Sequence, residues 1–216
     1  MKKILAVLGL FVAFSIFGQG PVMELPYRNI NLHTGTDKTI EGTPFIYPEY
    51  QRGSVSGFPE SYKMRYNAYL DEVNFKKDDA DLALLKEKVY GTIHFNETNE
   101  ILKLEQYTYK KNAVQGYLFV VADKENVTIY KKMSMSYSPF KEAKNSYDTD
   151  SPAKYKKLAD VYFIKRGNSE IFEMPSNKNQ LIEMFPEKKD AINQYFKANK
   201  VNLSDSKELK KLAEIL

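Results

Sequence analysis

The chain has 216 residues, no cysteine and a formal net charge of +4. Without cysteine there are no disulfides, no thiolate nucleophile and none of the Cys-containing zinc sets. Two of the basic residues, Lys2 and Lys3, fall in a leader segment; without them the charge drops to +2, a mixed surface that gives no reason to expect nucleic acid as a partner.

The first residues have the layout of a secretory signal. Met1-Lys2-Lys3 is positive, Ile4 to Phe17 is apolar apart from Gly9 and Ser15, and Gly18, Gln19 and Gly20 are small or polar. That apolar run is about fourteen residues, shorter than the roughly twenty a membrane-spanning helix needs. Residues 1–19 are therefore expected to be a signal peptide cleaved near Gly18 or Gln19. No cysteine follows to carry a lipid anchor, and no second apolar run suggests a transmembrane segment. The expected destination is the periplasm, with the cell surface or secretion as alternatives.

Tyrosine and phenylalanine are plentiful, 16 and 13 residues, and suit half-buried pleated surfaces, so strands should dominate. Residues 20–60 are rich in Gly and Pro. The stretch Glu41-Gly-Thr-Pro-Phe-Ile-Tyr-Pro-Glu-Tyr-Gln-Arg-Gly-Ser-Val55 argues against helix and for an extended arm along a sheet edge. Residues 61–175 read as an antiparallel β domain. Met64 to Phe75 reads as one long strand whose apolar parity switches, which suggests a bulge near Asp71-Glu72. Asp78 to Lys86 reads as a turn or helical turn. Strands are expected over Val89–Phe95 and Ile101–Tyr109, then a hairpin of Gly116–Ala122 with a partner running from Val127 toward Tyr137. A polar loop covers Lys141 to Pro152. A second hairpin joins Leu158–Lys165 to Glu170–Met174 through Arg166-Gly-Asn-Ser169.

Residues 176–216 change to helical period. Leu181, Ile182 and Phe185 share a face, Pro186 suits a helix start, and Asp205 is placed to cap a final helix carrying Leu209, Leu212, Ala213 and Leu216. The fold class is thus α+β and β-dominated: an antiparallel sheet, curved toward a half-barrel, with two or three short C-terminal helices packed on it.

The side chains narrow the chemistry. A Ser–His site needs a histidine oriented by a third group; of the two present, His33 lies in the loose N-terminal segment and His94 reads as a surface strand residue, and two isolated histidines without cysteine do not make the usual zinc sets. Asp148-Thr-Asp150 lacks the Gly and distal Glu of a calcium loop, and no Gly-rich phosphate loop occurs, so neither metal nor cofactor is expected. Tyr and Lys interleave at Tyr107-Thr-Tyr-Lys-Lys111, Tyr130-Lys-Lys132 and Tyr155-Lys-Lys157. Aromatics beside cations stack on sugars or bases, whereas lysine on exposed strands also discourages edge-to-edge association. The densest polar and aromatic group is Arg65, Asn67, Tyr69, Asp71 and Glu72, and Tyr107, on a separate expected strand, is a further ligand-binding candidate.

Three stretches, the Glu41–Val55 segment, Lys63-Met-Arg-Tyr-Asn-Ala-Tyr-Leu-Asp-Glu-Val-Asn-Phe75, and the tail from Leu181 to Leu216 with its Tyr195-Phe-Lys, together resemble a group of uncharacterised exported proteins of Bacteroidetes. The resemblance covers nearly the whole chain after the leader. It implies a periplasmic or surface location and a β-rich body with a helical tail, and it brings no activity and no functional residues.

Three functional readings follow. The first is a non-enzymatic envelope binding or scaffolding protein whose partner is an envelope protein or a small ligand. The second is a carboxylate-dependent hydrolase centred on Asp71 and Glu72, since paired carboxylates serve glycoside hydrolysis. The third is a module that offers its extended Pro21–Gly57 arm to a partner by strand addition.

Overall fold

A computed structural model describes residues 24–30, 40–145 and 147–216; the signal-like segment 1–19 and His33 lie outside them. Thirteen strands are named among the described residues: β1 Tyr27–Asn29, β2 Gln51–Val55, β3 Ser61–Asn67, β4 Glu72–Lys77, β5 Ala80–Leu84, β6 Thr92–Phe95, β7 Glu100–Tyr109, β8 Asn112–Asp123, β9 Val127–Lys132, β10 Met135–Ser138, β11 Lys154–Lys157, β12 Val161–Arg166 and β13 Ile171–Glu173. Helices α1 Lys178–Met184, α2 Lys189–Ala198 and α3 Ser206–Leu212 follow. The protein is β-dominated with three short helices at its C-terminal end, as its composition and periodicity require. No helix among the described residues is long and apolar enough to cross a membrane.

Eleven strands form one sheet in the order β1-β5-β4-β3-β2-β6-β7-β13-β12-β9-β8, and β8 pairs back onto β7. Strands β7, β13, β12, β9 and β8 therefore close on themselves, while β6, β2, β3, β4, β5 and β1 extend from β7 as a wing. The closure depends on the length of β7. It holds β6 along residues 100–103 and β13 at Tyr107↔Ile171, while β8 covers residues 102–109. The Tyr107↔Ile171 contact is parallel; the pairings of the wing and of β8, β9 and β12 are antiparallel. Each closing strand sends one residue into a shared cluster: Tyr107, Leu118, Tyr130, Phe163 and Ile171. A barrel of so few strands is filled by its own side chains.

A second cluster, including Met64, Tyr66, Val73, Phe75, Ile93, Leu102 and Phe119, packs the wing against β7 and β8. A third, including Ile129, Ile164, Leu181, Phe185, Ile192, Leu209 and Leu212, seats the helices on the barrel. Asp205 caps α3 by accepting from the backbone N–H groups of Lys207 and Glu208.

Four sequence expectations are corrected. Met64–Phe75 is a hairpin, β3 and β4, not one bulged strand. Chain reversal puts Met64 opposite Phe75 and Tyr66 opposite Val73, so two residues of opposite parity share one face. Asp78–Lys86 contributes strand β5 rather than a helical turn, because Asp78 adopts a left-handed φ of 53° and turns the chain directly back along β4. Gln51–Val55 is not an arm at a sheet edge: β2 lies between β3 and β6 and is paired on both sides. Its glycine makes this fit, since a Cβ on Gly53 would lie 2.7 Å from both the His94 carbonyl oxygen and the Met64 sulfur. Finally, the strand from Val127 ends at Lys132, and Met135–Ser138 leaves to form a separate two-stranded ribbon with β11.

Replacing Gly53 with alanine forces the β2 backbone away from β6. Gly53→Ala should cost about 1–3 kcal/mol of stability, read as a lower urea midpoint with an unchanged denaturant slope.

Candidate functional site

The tip of the β3–β4 hairpin gathers most of the residues marked in the sequence. Asn67 is buried, and its Oδ1 accepts from the backbone N–H groups of Tyr69 at 3.1 Å and Leu70 at 3.0 Å, so the side chain shapes the turn. The turn ends at Asp71, whose φ of 57° is left-handed, a region that Asp tolerates better than most residues. This swings the Asp71 carboxylate across to β8 and β9.

There it meets a dense set of donors. Tyr66 Oη donates to Asp71 Oδ1 at 2.7 Å, and Lys132 Nζ contacts the same oxygen. Lys86 Nζ donates to Oδ2 at 3.1 Å. The backbone N–H of Tyr117 lies 3.2 Å from Oδ1 and 3.3 Å from Oδ2. Lys132 Nζ also donates to the Tyr66 hydroxyl at 3.1 Å and to the Tyr117 carbonyl at 3.0 Å. The side chains of Lys132 and Asp71 are 14% and 21% exposed, enough burial for the ion pair to act in a low dielectric. Gly116 makes room: a Cβ there would sit 2.5 Å from Asp71 Oδ2 and 3.2 Å from the Tyr107 hydroxyl. Asp71 and Tyr107, far apart in sequence, thus converge over one glycine.

Burial and the nearby Asp71 charge push the Tyr107 hydroxyl up to about 12 and also raise those of Tyr66 and Tyr117. Burial lowers the Lys132 ammonium below its ordinary value, against the opposing pull of Asp71.

The remaining candidates do other work. Arg65 lies with its guanidinium carbon 3.6 Å from the Phe45 ring centre and 4.2 Å from that of Tyr50, and donates to the Pro48 carbonyl at 3.1 Å. It pins the Pro-rich segment onto the wing. Glu72 pairs with Arg28 of β1 at 2.5 Å, so Asp71 and Glu72 hold different cations. Tyr69 is the exposed one of the six, at 44%. Its ring centre lies 5.4 Å from that of Tyr155 and 6.0 Å from that of Tyr137, and the latter two are 5.0 Å apart as a cross-strand pair of the β10–β11 ribbon.

Tyr66, Lys86 and Tyr117 carry no motif of their own in the sequence, and Lys132 stands out there only as part of the Tyr130-Lys-Lys132 run. One signal was available: a glycine at the start of the apolar run 116–122 marks a strand position that something approaches closely. A separate groove of about 690 Å³ runs between β12–β13 and the α2–α3 connection, past Tyr162, Met174, Phe196 and Leu203, and none of the six candidates lines it. His94 is exposed on β6, and among the described residues no group of three or more His, Asp or Glu is placed to hold a metal. No protein-family model matches the chain, and no curated protein or solved structure matches it significantly.

Removing Asp71 strands Lys132 and Lys86 beside an open backbone edge. Asp71→Ala should cost about 3 kcal/mol, measured by urea denaturation. The tyrosines give a pH signature. Their raised values mean that their contribution is complete below pH 10 and is lost as pH climbs from 10 through about 12. Lys132 acts in the opposite sense, but only up to its ordinary 10.5, so above that pH the tyrosines act unopposed. Thermal stability should fall steeply above pH 10.5, with absorbance at the tyrosinate band rising together with loss of the folded circular-dichroism signal.

Proposed function

We propose that this is an exported, non-catalytic envelope protein that binds or scaffolds a partner through the aromatic surface around Tyr69. The observation that carries the reading is the convergence of Tyr69, Tyr137 and Tyr155 at the surface from two separate elements. Tyr69 and Tyr137 remain 44% and 36% exposed, and Leu70, beside Tyr69, is 49% exposed. Leaving rings and an aliphatic side chain together in water costs free energy, and a contiguous patch of this kind marks a contact surface more often than a lone exposed residue does. Tyrosine suits contact because each ring offers an apolar face and a hydroxyl at its edge.

Further support comes from how the carboxylates are used. Asp71 is held by two lysines, a tyrosine and a backbone amide, and Glu72 by Arg28, so both are engaged inside the protein. The leader Met1–Gln19, with its charge, apolar and small-residue order, supports export.

The test is a thermal-shift screen of the mature protein against glycans, lipids and peptides, run in parallel on Tyr69→Ala. A ligand that raises Tm in the native protein should lose most of that shift in Tyr69→Ala. A flat response across all three classes, or a shift that Tyr69→Ala leaves unchanged, counts against the reading.

A further inference from the structure

The contact between Lys132 and Asp71 has the components of a reaction as well as of an ion pair. An amine and a carboxyl condense to an amide with loss of water. Between free molecules in water this is unfavourable, but holding the two groups in contact is worth an effective concentration of roughly 10⁵–10⁸ M. Here β9 supplies the amine and the β3–β4 turn the carboxyl, and both side chains are mostly buried.

The surroundings divide the work. Tyr66 Oη touches both reacting groups, donating to Asp71 Oδ1 at 2.7 Å and accepting from Lys132 Nζ at 3.1 Å. Lys86 Nζ faces the other oxygen, Oδ2, at 3.1 Å, and the Tyr117 N–H is shared between Oδ1 at 3.2 Å and Oδ2 at 3.3 Å, so both can support the negative charge that develops on Oδ2 during attack. The aromatic lining of Tyr66, Tyr117 and Phe119 limits water around the centre. Desolvation lowers the Lys132 ammonium, which favours the free amine that attack requires.

We propose that Lys132 and Asp71 form an intramolecular isopeptide bond that covalently ties β9 to the β3–β4 hairpin. A proton first passes from the Lys132 ammonium to Asp71 Oδ1. The Nζ lone pair then forms a bond to Cγ, and the Cγ π electrons move to Oδ2. The tetrahedral centre collapses as a second Nζ proton reaches Oδ1 through the Tyr66 hydroxyl. The Cγ–Oδ1 bond breaks, Oδ1 leaves as water, and Oδ2 returns to a carbonyl. Three ammonium hydrogens are accounted for: one stays on the amide nitrogen and two leave in the water. The bond would span 61 positions of sequence in a chain that has no cysteine to make a disulfide. The inference stands independently of the binding role proposed for Tyr69.

Intact-mass spectrometry of the purified folded protein, with peptide mapping, decides it. The native chain should weigh one water less than its sequence, counted from the N-terminus found in the same mapping. One branched fragment should join the peptides carrying Lys132 and Asp71. Lys132→Arg and Asp71→Ala should both return to full mass, whether or not they fold well. A native protein of full sequence mass overturns the proposal. So does a water loss that persists in either variant, or a branch that maps to Lys86.

Discussion

The fold turns on one stretch of backbone, the edge of β8 at Tyr117. Along residues 119–123, β8 is paired with β9, but β9 ends at Lys132 and the chain departs to the β10–β11 ribbon. Tyr117 is fully buried, so its outward N–H and C=O cannot be left to water. Asp71 accepts from that N–H and Lys132 donates to that C=O. The ion pair thus substitutes for the missing strand, and each member is itself satisfied by the backbone it serves. This is the condition under which a desolvated pair is tolerated in a protein interior.

That constraint explains why the wing and the barrel hold together. The wing could extend from β7 as an open, twisted sheet. Instead its β3–β4 tip is drawn back onto β8 and β9, and Tyr66 and Phe119 meet edge to face with ring centres 5.3 Å apart. The same tip presents Tyr69 to the ribbon and accepts a backbone hydrogen bond from Met135 at the Ala68 carbonyl. A short turn shaped by Asn67 therefore places one residue inward to close the sheet and another outward to build the surface aromatic cluster.

Much of the local structure was legible. The turn around Asp123–Asn126 and the hairpin ending near Met174 follow from alternation and turn residues, and Asp205 caps α3 as its spacing requires. Where the reading failed, two arrangements produced the same pattern. A parity switch at Asp71 fits a bulge and fits a hairpin of even loop length, and only long-range pairing separates them. Glycine and proline in Glu41–Val55 fit an edge segment, yet Gly53 serves a central strand because β3 and β6 both crowd it. The site shows the same limit. Arg65, Asn67, Tyr69, Asp71 and Glu72 are neighbours in sequence, but they point to a stacked clamp, a turn, a surface patch, a buried ion pair and an edge salt bridge.

Side-chain period and turn chemistry are local, so the class of the fold is written in the chain itself: a strand-rich body, a capped helical tail, and an inventory without thiols. Tertiary structure alone decided that the sheet closes, since closure depends on β7 pairing with both β13 and β8. It also decided that Asp71 meets Lys132, 61 residues away. Nothing near either residue encodes the other. They meet because β9 stops short of Tyr117 and leaves a buried backbone edge whose N–H and C=O a carboxylate and an amine, brought from different elements, satisfy.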